Sequence, residues 1–144
     1  MGHVIVIGGG ASGMMAAISA SYHGAEVTIV EHMERIGKKL LSTGNGKCNF
    51  TNARQSPEFY LSENGDFAWK IVSRFGQKET CALFQELGVY PKERNGYYYP
   101  YSGQASSVLD ALRMELARLG VGIRTGQECV GVIPKKSGFC RSEE

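Results

Sequence analysis

Apolar and polar positions change period several times along the chain, and each change marks an element. The opening run "HVIVIG" is β-branched, free of carboxylates and lysines, and closed by glycine, the pattern of a parallel strand buried on both faces. The period then lengthens. Met14, Ala17, Ile18 and Ser21 recur at helical spacing, small enough to lie close against a sheet, and Gly24 supplies the left-handed residue that ends such a helix. "EVTIVE" returns to a strand. Strand, glycine turn, helix and strand in this order predict a βαβ unit, whose crossover is right-handed.

A long loop, "EHMERIGKKLLSTGNGKCNFTN", interrupts the pattern before two helical stripes. Phe67, Ala68, Ile71, Val72 and Phe75 form the first, closed by Gly76; Leu83, Phe84 and Leu87 form the second, closed by Gly88. Trp69 sits beside the first stripe and reads as packing. Asn95-Gly96 between β-prone runs predicts a hairpin, which Pro91 and Pro100 confine to a sheet edge. Ser107 and Asp110 predict a capped helix carrying Val108, Leu109, Leu112, Leu116 and Leu119, stopped by Gly120. "GVGIRTG" and "ECVGVIP" read as strands, and "KKSGFCRSEE" as a polar tail with no closing element.

The glycine turn carries the first chemistry. Gly8, Gly10 and Gly13 have the GxGxxG spacing, weak alone but here preceded by a strand, entering a helix, and followed by an acid at the end of the next strand. Gly8 permits the turn, Gly10 lets backbone approach a pyrophosphate, and Gly13 lets helix and strand pack closely. Free N–H groups and the helix dipole would then meet phosphates. Glu31 follows Gly13 at close to the spacing of about 20 residues expected for the carboxylate on a ribose diol, and an acid there disfavours the 2′-phosphate of NADP. An ADP-ribose moiety belongs to both NAD and FAD, and the fingerprint does not choose between them.

Composition narrows the class. The chain has 144 residues, an apolar fraction of 42% and a net charge of +2, which fits one globular domain with a core and gives no bulk-charge reason to expect nucleic acid. Cys48, Cys81, Cys129 and Cys140 stand far apart, without the spacing of a redox pair or a zinc site. Reduced thiols, no signal peptide and no membrane-length apolar run predict a cytoplasmic protein. His23 and His32 read as surface residues and His3 as a strand-edge one. No catalytic triad or carboxylate pair stands out, so the catalytic residues are unassigned.

The basic, glycine-rich loop suits a surface that floors a flat ring system, with Lys38, Lys39 and Lys47 offsetting negative charge. Together, "VIVIGGGASGMMAA", "TIVE" and "GKKLLSTGNGKCNFTN" resemble the BaiN-type, aminoacetone-oxidase-like bacterial FAD-dependent oxidoreductases. "GYYYPYSGQASSVLDAL" and "LGVGIRTGQECVGV" are similar to that family's next segments, so the likeness runs from His3 to Phe139. It implies an α/β, Rossmann-like FAD/NAD(P)-binding domain, incomplete because the chain matches only the N-terminal third of the family's enzymes. Residues 1–128 would be the N-terminal part of that domain and 129–144 the start of a second, substrate domain or a tail.

The resemblance also implies site residues. Gly8, Gly10, Ala11, Ser12 and Gly13 would cradle the FAD pyrophosphate, and Glu31 would hold the adenosine ribose. Lys38, Lys39, Leu40, Thr43, Gly44, Asn45, Gly46, Lys47, Cys48 and Asn49 match the loop that wraps the cofactor toward its flavin, and Val130 the strand position whose backbone meets the adenine. Disulfide reductases of related fold place two cysteines close together here; Cys48 has no such neighbour and reads as a small loop residue. The expected function is the FAD-binding portion of an oxidoreductase moving hydride between flavin and an unknown small substrate, an amine or a carbon–carbon bond being both open. An NAD-dependent dehydrogenase and a non-catalytic dinucleotide-binding fragment are the alternatives. Neither nucleic acid nor membrane is expected as a partner, and the missing segments would leave apolar surface for self-association and marginal stability.

Overall fold

The computed structural model describes residues 2–135 and 138–143. Its contacts divide the chain into two compact units, one of Met1–Leu40 with Leu112–Glu144 and the other of Leu41–Ala111.

The first unit holds the βαβ core. β1 (His3–Ile7) and β2 (Glu26–Glu31) pair in parallel, with Val6 opposite Ile29, and α1 (Ala11–Tyr22) crosses between them. Met14, Ala17 and Ile18 are fully buried, Ser21 half-buried, and Gly24 turns the chain at φ +81°, as the spacing predicts. β6 (Gly122–Thr125) joins the far edge of β2, giving a parallel sheet of order β1-β2-β6. Burial of β1 on both faces is not what the structure shows: Val4, Ile5 and Ile7 are exposed. The reason is topological. β1 pairs with β2 alone among the described residues, so one edge of an apolar strand stays bare.

β7 (Cys129–Lys135) appears where "ECVGVIP" predicts a strand. Residues 138–143, expected within a polar tail with no closing element, instead form β8 (Gly138–Glu143), antiparallel to β7. Backbone pairing, which composition does not encode, makes this strand. Residues 136, 137 and 144 of the expected tail lie outside the described residues.

In the second unit, β3 (Thr51–Asn52), β4 (Pro91–Arg94) and β5 (Tyr97–Pro100) form an antiparallel sheet of order β3-β5-β4. Asn95 and Gly96 turn the β4–β5 hairpin at φ 55° and 87°, the left-handed geometry that dipeptide favours. β4 is an edge strand, but β5 lies inside the sheet. Its Pro100 is tolerated because β3 pairs only with Tyr97 and Tyr98.

α2 (Gly65–Val72) is shorter than its stripe, and Phe67, Ile71 and Phe75 are exposed rather than buried. Gly76 does not close it but opens α3 (Gln77–Glu86), where the Glu79 carboxylate accepts the Gly76 N–H at 2.9 Å. Trp69 packs on Tyr60, ring centroids 5.8 Å apart. Phe84 of α3 is buried against Phe50, and Gly88 ends the helix at φ +82°.

α4 (Ala105–Arg118) buries Val108, Leu109, Leu112 and Leu116 as its periodicity predicts, and Gly120 follows at φ +69°. Ser107 lies in the first turn rather than at the cap, its hydroxyl donating to the Gln104 carbonyl at 2.8 Å. From Leu112 onward the helix belongs to the first unit. There Glu115 is buried, accepting the Tyr22 hydroxyl of α1 at 2.7 Å and two bonds from Arg118 at 2.8 and 2.6 Å.

Arg118 chiefly, against the cost of burial and with help from Tyr22, holds the Glu115 carboxyl below its ordinary range. A carboxylate depressed in the folded state contributes stability above its unfolded pKa of about 4.3, lost as pH falls through the lower folded value. Tyr22→Phe, which removes one charged hydrogen bond, should therefore cost about 1–2 kcal/mol at neutral pH by urea unfolding. The gap from wild type should narrow in acid; an unchanged gap would show that the carboxylate charge plays no part.

Candidate functional site

The junction of β1, α1 and β2 is built around three glycines at the turn. Gly8 takes φ +97°, and its N–H donates to the Val30 carbonyl at 2.8 Å, which holds the turn against the end of β2. At Gly13 a Cβ would lie 1.9 Å from the Gly8 carbonyl oxygen and 3.4 Å from Val6, so only hydrogen fits where helix meets strand. Gly10, which precedes the helix with φ −74°, differs: a Cβ there would meet nothing within 4 Å. The fold itself does not demand that glycine. Ala11 and Ser12 are exposed beside it in the first turn, where the Met14 N–H makes the first helical bond, to the Gly10 carbonyl at 2.9 Å.

Glu31 closes the junction from the end of β2. It is 7% exposed, and its two oxygens accept the Gly9 N–H at 2.7 Å and the Met33 N–H at 2.8 Å. His32 Nδ1 stands 2.9 Å from the same carboxylate. Burial pushes the Glu31 carboxyl up, but the Met33 and Gly9 N–H groups and His32 more than offset it, leaving its pKa below the ordinary value. It is thus an anion at neutral pH, already oriented and with lone pairs still to offer.

Three supports were not legible in the motif. A Cβ on Gly9 would overlap Ile36, at 2.3 Å from Cγ2, and the Gly37 N–H donates to the Gly9 carbonyl at 2.8 Å, so residues 32–37 floor the turn. Arg113 of α4 donates to the Ile36 carbonyl at 2.7 Å and fixes that floor. A cavity of about 220 Å³ opens beside Gly8, Val30 and His32, with Gln127 and Cys129 on its other wall. Gln127 Oε1 is buried and has no hydrogen-bond partner among the described residues. Val130, in β7 just beyond that wall, is exposed.

The basic loop divides between the units. Lys38, Lys39 and Leu40 form a short 3₁₀ turn in the first, with Leu40 buried. In the second, Thr43 is extended while Gly44 and Asn45 are left-handed, with φ 54° at both. A Cβ on Gly44 would stand 2.9 Å from the Asn49 nitrogen. Gly46 and Cys48 are also left-handed, and the Lys47 and Cys48 N–H groups donate back to Gly44 and Thr43 at 3.1 Å each. The Asn49 amide donates to the Thr51 and Tyr98 carbonyls at 3.0 Å each, pinning the loop on β5. Cys48 is buried, and burial pushes its thiol up despite a hydrogen bond with Thr43. Such a thiol is a poor nucleophile.

A parallel βαβ unit with a glycine cradle and a buried acid at the end of its second strand defines a dinucleotide-binding, Rossmann-type protein. The chain belongs to the HI0933-like protein Rossmann domain family, whose model matches residues 2–143. It is 46% identical over 141 residues to the 3-dehydro-bile acid delta(4,6)-reductase of Clostridium scindens, across 96% of this chain and 34% of that protein. The ribosomal RNA dihydrouridine synthase of Escherichia coli is 31% identical over 135 residues, across 94% of this chain and 34% of that protein. The chain thus spans about a third of the length of these relatives.

Solved structures share the fold. A flavocytochrome c3 fumarate reductase matches with a TM-score of 0.68 at 18% identity, over 97% of this chain and 31% of that one. The 3-ketosteroid-delta4-(5alpha)-dehydrogenase of Rhodococcus jostii matches with a TM-score of 0.67 at 14% identity, over 98% and 42%. No helix among the described residues is long and apolar enough to cross a membrane.

The contrast between two glycines is testable by urea unfolding. Gly10→Ala should keep the fold and lose no more than about 1 kcal/mol, the cost of a poorer helix cap. Gly13→Ala should lose well over that, because the obstacle is a backbone carbonyl that cannot step aside. Equal losses would contradict the geometry.

Proposed function

We propose that this chain is the FAD-binding portion of a flavin-dependent oxidoreductase, with residues 1–128 in the cofactor domain and 129–144 opening the next. The observation that carries the reading is the junction itself: a buried, ionised Glu31 held against a glycine turn whose Gly10 faces open space. Gly10, Ala11, Ser12 and Gly13 would take the pyrophosphate on backbone N–H groups, Gly8 would shape the turn that lets it approach, and Glu31 would accept from the ribose hydroxyls. The adenine would lie beside the backbone of Val130, at the cavity that Gly8, Val30 and Gln127 line. Lys38, Lys39, Leu40, Thr43, Gly44, Asn45, Gly46, Lys47, Cys48 and Asn49 are proposed to serve the flavin end of the same cofactor. The chemistry a bound FAD would supply is hydride transfer to or from a small substrate.

Family membership and the 46% identity to a bile acid reductase favour FAD and reduction of an apolar acid over the NAD-dependent alternative. A cytoplasmic, reduced-thiol setting fits the spread cysteines, and a high thiol pKa at Cys48 keeps that residue out of the electron path.

Because the glycine turn and Glu31 are proposed to meet the ADP half, FAD and ADP should both bind the purified chain, ADP should displace FAD, and FMN should bind more weakly than FAD. Glu31→Ala should weaken FAD binding by about 1.5–3 kcal/mol, the scale of a hydrogen bond to a charged group, roughly ten- to a hundredfold in Kd. Calorimetry on variants shown by circular dichroism to be folded reads both. FMN binding as tightly as FAD, or an unaltered Kd in the variant, would refute the assignment.

A further inference from the structure

The second unit carries a cleft of about 740 Å³ over the β4–β5 hairpin, a volume in the range of small-molecule sites. Cross-strand register explains what lines it. Lys92 stands opposite Tyr99 and Arg94 opposite Tyr97, and directly paired residues share a sheet face. Two cations and two aromatic rings therefore project together. Tyr101 extends the row, with the Lys92 ammonium 5.2 Å from its ring centroid. Lys47 enters from the loop pinned on β5. Glu93, the one acid of the hairpin, faces the opposite side with Tyr98 and accepts the Gly96 N–H in the turn.

Lys47, Lys92 and Arg94 form no ion pair among the described residues. The cleft thus combines three uncompensated cations with three tyrosine faces. Positive charge fixes an acidic group, and aromatic faces hold a flat apolar body.

We propose that this cleft binds a flat polycyclic organic acid, its ring body against Tyr97, Tyr99 and Tyr101 and its anionic group held by Lys92 and Arg94. That such a ligand is the substrate rests on the oxidoreductase reading; the binding itself does not. A single bounded cleft with three cations suits one small anion better than a polymer, whose phosphate track needs a longer basic groove.

Fluorescence titration of the whole chain with pyrene-1-carboxylate tests this, with 1-pyrenemethanol, AMP and a uridine oligonucleotide as separate arms. The carboxylate should bind at least tenfold tighter than the neutral alcohol, and the preference should fall with salt. Arg94→Ala should weaken the carboxylate at least fivefold while leaving FAD affinity unchanged. Tyr101→Ala should weaken carboxylate and alcohol alike. AMP that leaves the carboxylate bound supports a ring acid; AMP that displaces it overturns the proposal in favour of a nucleotide. Equal affinity for carboxylate and alcohol, tighter binding of the oligonucleotide, or displacement of the carboxylate by FAD would each overturn the proposal. A chain that binds the carboxylate but no FAD defeats the oxidoreductase reading and leaves this one standing.

Discussion

The close approach of the Gly8–Gly13 turn to its own carbonyl and to Glu31 is the constraint on which the first unit depends. A helix can start this near a parallel strand only if the residue facing Gly8 has no side chain, and Gly13 has none. Once that contact is made, the turn presents Gly9 to the end of β2, where the Glu31 carboxylate accepts its N–H and Ile36 fills the space a side chain would need. The acid is buried for a structural reason before it meets any ligand. Its charge survives burial because backbone N–H groups and His32 surround it. The fold has already met most of the desolvation cost of placing a carboxylate there.

That economy explains why the βαβ unit was the most legible part of the sequence. Strand, turn, helix and acid are local, and each is marked by residues that geometry restricts to one type. The Asn95-Gly96 hairpin and the buried stripe of α4 were legible for the same reason. What periodicity does not contain is the neighbour. The β1 run and the α2 stripe both have the composition of buried elements, yet Ile7 and Phe67 are exposed, because a pattern states what an element can cover and not whether a covering element is present. β8 failed in the other direction, since pairing with β7 makes a strand of a polar segment.

The candidate site divides along the same line. Gly8, Gly10, Gly13 and Glu31 announce themselves by spacing, whereas Ile36, Arg113 and Gln127 act through tertiary contacts that leave no local signature. The tyrosines and cations of the hairpin were visible as letters. Only the register, which sets Lys92 against Tyr99 and Arg94 against Tyr97, shows that they share a face.

Two glycines of one motif are kept for different reasons, and this separates two histories that a motif alone would merge. Gly13 is locked by a backbone carbonyl at 1.9 Å, so a descendant that lost its ligand but kept its fold would still carry it. Gly10 has no such internal enforcer. Among descendants, an intact Gly13 beside a drifting Gly10 would mark a scaffold released from nucleotide binding, and the pair reads as a record of whether the site is still in use.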